Sequence, residues 1–159
     1  MTQTDKKGEL FHEQDSSLLL EHNLCFYLYV SSREFINRYT PLLAEIGLTY
    51  TQYVVMMVLW EEHTIVTREL RDKVFLDSGT LTPVLKKLVE KGFITKERSQ
   101  ADARDLIVTL TPKGADLRQD ALAVRTALAK DFKGSTDNSR LLKLLREMVD
   151  TFRQERKEK

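Results

Sequence analysis

The architecture of this chain follows from the segment Asp77-Ser78-Gly79-Thr80-Leu81-Thr82-Pro83-Val84-Leu85-Lys86-Lys87-Leu88. Its apolar residues recur at the spacing of one helix face: Leu81, Val84, Leu85 and Leu88. The opposite face carries Thr82, Pro83, Lys86 and Lys87. Asp77 or Ser78 can cap this helix, and Gly92 can close it after Lys91. The segment predicts an amphipathic helix with one side anchored in a core and with hydroxyls and cations on the other side.

A second helix precedes this one, and a β-hairpin follows it. Thr67 can cap a short helix that runs to Val74. After Gly92 the helical period gives way to alternation in residues 93–98 and 106–110, which predicts two short strands around a long polar tip. Two short helices, a tight turn and a hairpin make a winged helix-turn-helix. We therefore expect a mainly α (α+β) fold.

A helical arm precedes the winged region. Apolar residues recur in it at helical spacing: Leu20, Leu24, Leu28 and Phe35. They predict a long helix from about residue 16 to residue 38, which Pro41 then ends or restarts. Residues 49–52 have the form of a capping box, and the apolar residues 53–60 after them predict a buried core helix.

A second arm follows the hairpin. Thr111 and Pro112 are a cap and a proline at the first helical position, so they predict a helix that runs towards Phe132. Residues 135–137 predict the start of a last helix, which reaches about Arg153.

Both arms carry apolar residues that one small domain does not obviously cover: Leu18, Leu19, Leu20, Leu128, Leu141, Leu145, Met148 and Phe152. A homodimer in which the arms of two chains pack together would cover them. We therefore predict one domain over residues 1–159. Its dimerisation helices occupy about 15–48 and 112–155, and its winged helix-turn-helix occupies about 49–111.

The exposed face of segment 77–88 has the composition of a DNA recognition helix, which offers hydroxyls and cations to base edges and phosphates in the major groove. The predicted contacts are Thr82, Pro83, Lys86 and Lys87, with Ser78 and Thr80 acting through backbone N–H groups at the helix start. Arg104 at the hairpin tip suits the minor groove, with Asp102 holding its guanidinium. The alternatives are an ordinary solvated helix and a weak surface ion pair.

Composition limits the other classes of protein. With 159 residues, 42% apolar and 31% charged, the chain can build a core without disulfides or metals. Because the net charge is only +1, a nucleic-acid site must be local. No apolar run approaches the roughly 20 residues of a bilayer span, and residues 1–10 lack the order of a signal peptide. We expect a cytoplasmic protein with no membrane partner and no cofactor.

The single cysteine, Cys25, is the candidate for redox chemistry. Tyr29 lies four residues on, on the same helix face, and Tyr39 lies fourteen residues on, roughly 21 Å away along an uninterrupted helix. If Tyr39 contacts Cys25, it reaches from the partner subunit. The alternatives are that Cys25 is a small buried hydrophobe, or that it joins His22 and His12 as a metal ligand, for which no closed ligand cluster is apparent.

These features together resemble the MarR family of bacterial repressors and, within it, the one-cysteine organic hydroperoxide resistance regulators. The resemblance rests on residues 24–34 with Tyr39 and Pro41, on residues 75–88, and on Asp102-x-Arg104. It implies a dimer that represses a peroxidase gene from a pseudo-palindromic operator and leaves the DNA on oxidation. It also implies that Cys25 is the peroxide sensor and that Tyr29 and Tyr39 bond to it. Because the chain has no second cysteine, we expect a small cellular thiol to resolve the oxidised sulfur as a mixed disulfide, or the sulfur to pass on to irreversible acids.

Other functions remain open at this point. A thiol peroxidase would need turnover, for which the chain has no resolving cysteine. A MarR-type repressor could instead respond to a noncovalent phenolic or lipophilic ligand, with Cys25 structural. An interaction protein on the same scaffold would show no salt-sensitive DNA binding. We expect a regulator and not an enzyme.

Overall fold

The computed structural model of the chain describes residues 18–99, 105–131 and 138–158. A one-turn 3-10 helix, Leu20–His22, precedes the regular elements. These are α1 (Leu24–Glu45), α2 (Tyr50–Glu62), β1 (Thr64–Val66), α3 (Thr67–Val74), α4 (Ser78–Glu90), β2 (Ile94–Arg98), β3 (Leu106–Leu110), α5 (Pro112–Asp131) and α6 (Asn138–Lys157). The chain divides into two compact units, Met1–Val124 and Arg125–Lys159. The mainly α winged helix-turn-helix class is confirmed, whereas the assignment of residues 1–159 to one domain stays a prediction.

The first helix is longer at its C-terminal end than the sequence predicts. The expectation that Pro41 ends or restarts it is wrong, because α1 continues through Pro41 to Glu45. Proline removes one hydrogen bond, to the carbonyl of Asn37, and that loss is offset by burial of Tyr39 and Leu43 on the inner face. The predicted start near residue 16 is also wrong, because α1 begins at Leu24 and the backbone of Asn23 before it is extended.

The core is built on α2, as predicted. The capping box is present, since Gln52 N–H donates to the Thr49 hydroxyl and the Thr49 N–H donates to the Gln52 side chain. The buried apolar residues of this helix are Tyr53, Val55, Met56 and Leu59. Trp60 extends from it to donate its indole N–H to the Gly114 carbonyl at 2.8 Å, which ties α2 to α5.

The sheet has three antiparallel strands in the order β1-β3-β2, so the expectation of two strands is wrong. The predicted hairpin is confirmed, with Ile94 opposite Leu110 and Arg98 opposite Leu106. The missed strand is β1, which pairs Ile65 with the fully buried Val108. Its three residues follow α2 after one residue, too short a run for alternation to be visible in the sequence.

The two short helices before the hairpin are confirmed. The expected capping role of Thr67 is wrong, because Val66 occupies the N-cap position of α3 and makes no side-chain cap bond. The Thr67 hydroxyl instead donates to the Leu106 carbonyl at 2.7 Å and fastens α3 to β3. Asp77 caps α4, and Gly92 follows its end at a φ of +73°.

The arm after the hairpin begins as predicted. Pro112 is the first residue of α5, and the Thr111 hydroxyl accepts from the Gly114 N–H at 3.0 Å. Phe132 and residues 135–137 lie outside the described residues, and α6 continues past Arg153 to Lys157.

The arm residues that were predicted to need a partner fall into three groups. Those exposed are Leu18, Leu19, Leu20, Leu141 and Phe152. Leu145 and Met148 are half-buried. The expectation for Leu128 is wrong, because it is only 4% exposed and continues the buried stripe of α5 that includes Leu117, Ala121 and Val124.

None of the helices among the described residues could cross a membrane by itself. By length and composition alone, α1 and α2 meet that test as a pair bent by 75°.

The Gly114→Ala substitution should destabilise the fold because a Cβ at Gly114 would collide with the Phe93 carbonyl oxygen and lie 2.9 Å from Leu110 Cδ1. We expect a loss of about 3 kcal/mol in the free energy of unfolding. Denaturation followed by the fluorescence of Trp60, the one tryptophan of the chain, measures it. Gly47→Ala is the control, since Gly47 has a φ of +72° but no atom within 4 Å of an added Cβ, and it should cost about 1 kcal/mol. Equal losses would contradict the steric argument.

Candidate functional site

The recognition helix predicted from the sequence is α4, and its two faces differ as expected. Leu81, Leu85 and Leu88 are at most 1% exposed. The side chains proposed to contact DNA are all exposed: Ser78, Thr80, Thr82, Pro83, Lys86 and Lys87. Pro83 lies within the helix, and Thr82 donates its hydroxyl to the Ser78 carbonyl at 2.7 Å. The hydroxyl oxygen of Thr82 can still accept a bond from a base edge.

The start of α4 is occupied by a carboxylate. Asp77 accepts a bond from the Thr80 N–H at 2.8 Å and another from the Thr80 hydroxyl at 2.9 Å. The expectation that the Thr80 N–H is open to phosphate is therefore wrong. The backbone and side-chain bonds from Thr80 lower the pKa of Asp77 below its ordinary value. A contact of Thr80 with DNA stays a prediction that requires this cap to rearrange.

The two lysines of α4 differ in their surroundings. Lys87 donates to the Glu90 carboxylate at 2.8 Å, and this bond lowers the pKa of Glu90 below its ordinary value. Both side chains of that pair are largely exposed, so the pair contributes little to stability. Lys86 lies one residue earlier, on the outer face of the helix. Phosphate can compete with Glu90 for Lys87 on binding.

A groove of about 260 Å³ lies where α3, α4 and the start of β3 meet. Its lining residues are Thr67, Arg68, Arg71, Ser78, Leu81, Thr82, Asp105 and Leu106. Sequence reasoning missed Arg68 and Arg71, which place two guanidinium groups beside the start of α4. The spacing of these arginines, three residues apart on a short helix next to the recognition helix, was the available signal.

At the tip end of β2 and β3, the Ser99 N–H donates to the Asp105 carbonyl at 2.9 Å. Asp102 and Arg104 lie outside the described residues. Their proposed role in the minor groove therefore stays a prediction.

Cys25 lies in the first turn of α1, and its thiol is exposed. Its polar neighbour is Asn23, whose side-chain oxygen is 3.9 Å from the sulfur. Tyr29 is on the same helix one turn later and is 59% exposed. The Tyr29 hydroxyl accepts a bond from Arg33 Nη1 at 3.1 Å. The proposed bond between Tyr29 and the Cys25 sulfur is not formed within the described part of this chain.

Tyr39 occupies a different part of α1. It is buried in an aromatic cluster, with ring centroids 5.1 Å from Phe35, 5.5 Å from Tyr50 and 5.7 Å from Tyr53. Because α1 is continuous, Tyr39 lies roughly 21 Å from Cys25 of the same chain along the helix axis.

Tyr50 is a phenol that sequence reasoning missed as a candidate. Burial, and next the neighbouring Tyr53, raise the pKa of Tyr50 above its ordinary value. Its position at the start of α2, eleven residues after Tyr39, gave no sign in sequence that the two rings meet.

Lys91 connects the end of α4 to the start of α2. Its ammonium donates to the Gly47 carbonyl at 2.7 Å and to the buried Gln52 side-chain oxygen at 2.8 Å. Tyr50 lies two residues before Gln52. The start of α2 therefore contacts both the aromatic cluster and, through Lys91, the end of the recognition helix.

A metal site has no basis in the described residues, among which no group of three or more His, Cys, Asp or Glu side chains could hold an ion. His12 of the alternative ligand set lies outside those residues.

Known proteins are similar to this chain in both sequence and fold. The family model for the transcriptional regulator SarA/Rot matches residues 37–121. An organic hydroperoxide resistance transcriptional regulator of Bacillus subtilis is 39% identical over 136 residues, which is 85% of this chain and 92% of that protein. The structure of reduced AbfR bound to DNA, a protein of Staphylococcus epidermidis, is 34% identical. It matches with a TM-score of 0.72 and covers 84% of this chain and 94% of its own. Overoxidized AbfR bound to DNA matches over the same shares with a TM-score of 0.67 and 34% identity.

The fold and the exposed face of α4 define a winged helix-turn-helix transcriptional regulator with helical arms. The chain belongs to the MarR-like SarA/Rot family of transcriptional regulators. Its resemblance to the organic hydroperoxide resistance regulators is confirmed.

Asp77 should stabilise α4 in a pH-dependent way. Because its folded-state pKa is lowered from 3.8, its contribution is present above that value and is lost as the pH falls through the lowered value. We expect Asp77→Ala to lower the urea midpoint at about pH 7, and the difference from wild type to shrink towards about pH 3. Asp77→Asn keeps the cap without the charge and serves as the control. A difference that does not change with pH would contradict the charged cap.

Proposed function

We propose that this chain is a redox-sensing transcriptional repressor that binds a pseudo-palindromic operator as a homodimer and leaves it when an organic hydroperoxide oxidises Cys25. The observation that carries the proposal is the exposed thiol of Cys25, the one cysteine of a chain 39% identical to an organic hydroperoxide resistance regulator. We also propose a cytoplasmic location, which the family membership supports.

DNA binding is assigned to α4 in the major groove. Thr82, Pro83 and Lys86 lie on its exposed outer side, and the start of the helix borders the groove that holds Arg68 and Arg71. These guanidinium groups suit the phosphates that flank the bases read by α4. With a net charge of +1, this local set of cations supplies the attraction, and two copies per dimer strengthen it. Asp102 and Arg104 are assigned to the minor groove.

A homodimer is supported by apolar surface that the first unit leaves uncovered near the thiol. The exposed residues of this surface are Leu18, Leu19, Leu20, Leu24, Tyr27, Tyr29, Val30, Phe35 and Ile36. Exposed apolar side chains in this number favour association. A partner helix laid along it can bring its own Tyr39 to Cys25, which the 21 Å separation within one chain does not allow. Tyr50 would accompany Tyr39, because their rings are in contact.

The switch begins with attack of the Cys25 thiolate on the terminal oxygen of the hydroperoxide. The O–O bond breaks, a sulfenic acid forms on the sulfur, and the alkoxide leaves and takes up a proton to become an alcohol. A low-molecular-weight thiol then condenses with the sulfenic acid, which gives a mixed disulfide and water. The added bulk at the dimer surface of α1 disturbs the packing that sets the spacing of the two α4 helices.

We propose that the protein is not an enzyme, because the reaction modifies the regulator itself and the chain has no second cysteine to complete a peroxidase cycle. Peroxide consumption that continues under excess thiol would contradict this. The Cys25→Ser variant distinguishes a noncovalent phenolic or lipophilic inducer from the redox switch.

Arg68→Gln should weaken operator binding while leaving the fold intact, because Arg68 is on the surface of the groove beside α4. Its loss removes one phosphate contact per subunit, so the slope of log affinity against log salt should fall by about one for each subunit. Titration of a labelled operator at several salt concentrations measures this. Arg118→Gln, an exposed arginine on α5, is the matched control and should bind as wild type. An unchanged salt slope for Arg68→Gln would remove this residue from the interface.

Cys25→Ser should keep operator binding and lose the response to oxidant. A mobility shift on the chain's own upstream region, with an organic hydroperoxide and a small thiol present, tests both properties. Wild type should release the DNA, and the serine variant should retain it. Release of both proteins would exclude Cys25 as the sensor, and retention of both would point to a noncovalent ligand.

A further inference from the structure

Cys25, Tyr29 and Arg33 form a row along α1, each one turn after the previous residue. Side chains on a helix lean towards its N-terminus, so each member of the row leans over the turn of the residue before it. The bond from Arg33 Nη1 to the Tyr29 hydroxyl at 3.1 Å is the expected result of that lean. The same lean is expected to carry the exposed Tyr29 ring towards the turn that holds the thiol.

The thiol needs a new donor when it loses its proton. In the protonated form the sulfur can donate to the Asn23 side-chain oxygen, 3.9 Å away. The amide of Asn23 is held in that orientation because its nitrogen donates to the Leu19 carbonyl at 2.7 Å. A thiolate cannot donate, so it faces an oxygen that repels it. A hydroxyl donor one turn away would stabilise the charged sulfur.

Arg33 prepares Tyr29 for that role. A guanidinium remains charged and acts only as a donor, so the Tyr29 oxygen accepts from it and keeps its own proton free to donate elsewhere. Accepting a bond from a cation also polarises the hydroxyl and makes it a stronger donor. Among the described residues Arg33 forms no ion pair with a carboxylate, so its charge is not neutralised locally.

We propose that Arg33 is a positioning residue for the sensor, which holds and polarises the Tyr29 hydroxyl so that it donates to the Cys25 thiolate of the same helix. This deepens the proposed function and rests on the assignment of Cys25 as the reactive thiol. Arg33 lies two turns after Cys25 on α1. Tyr29, one turn from each of them, connects Arg33 to the thiol.

The test is the rate at which Cys25 of the full-length protein is alkylated by iodoacetamide at neutral pH, without DNA or peroxide. Only the thiolate reacts, so the rate reports its population. Arg33→Gln should slow alkylation about three- to tenfold, and Arg33→Lys should recover part of the loss. Tyr29→Phe should slow it as well, and adding Arg33→Gln to Tyr29→Phe should cause no further change.

Arg38→Gln is the matched control, since it removes the same charge from another exposed position of α1 without touching the Tyr29 bond. It should leave the rate unchanged, and circular dichroism should show the same helix content for every variant. An unchanged rate for Arg33→Gln overturns the proposal. An equal loss in the presence and absence of Tyr29 also overturns it, because the charge would then act without the phenol.

The outcome is independent of the repressor assay. If Arg33 sets the alkylation rate but Cys25→Ser still releases DNA on oxidation, the proposed function fails and the positioning role stands. If the serine variant retains DNA but Arg33→Gln has no effect on alkylation, the positioning role alone fails.

Discussion

The burial of three leucines of α4 holds the DNA-reading part of the molecule in place. Leu81, Leu85 and Leu88 are at most 1% exposed, and their burial contributes on the order of 6 kcal/mol as an upper estimate. Because each residue of a helix is rotated by about 100° from the one before, fixing this stripe fixes the direction of every other side chain of α4. A rotation by one position would bring Thr82 into the core. The orientation of the exposed face that we propose to contact DNA is therefore a consequence of core packing.

Helix α2 packs against α4 and also contributes residues to the aromatic cluster. Val55, Met56 and Leu59 are fully buried, while Tyr50 and Tyr53 of the same helix contact Tyr39 of α1. Lys91 adds a polar tie from the end of α4 to Gln52 and Gly47. A displacement of Tyr39 or Tyr50 would therefore move the start of α2 first and, through Lys91, the end of α4. This connection through α2 suits a protein in which the DNA-binding helix must respond to the sensor.

The features that the sequence predicted correctly have local causes. The capping box at Thr49 and Gln52, the Asp77 cap, the glycine after α4 and the alternation of the hairpin each depend on residues close in sequence. The errors have nonlocal causes. Pro41 is tolerated because of burial elsewhere on α1, and β1 exists only because β3 offers it an edge. Thr67 bonds to β3 instead of capping its helix, for a similar reason.

The sequence by itself determined the class of fold, the direction of the α4 faces and the position of the reactive thiol, because periodicity and capping act within a few residues. Only the tertiary structure decided that Arg68 and Arg71 border the recognition helix, that Tyr50 joins Tyr39, and that Arg33 bonds to Tyr29. The first two relations join different helices, whose approach depends on the shape of the whole core. The third depends on which partner a long flexible side chain selects, and the sequence spacing permits that bond without requiring it.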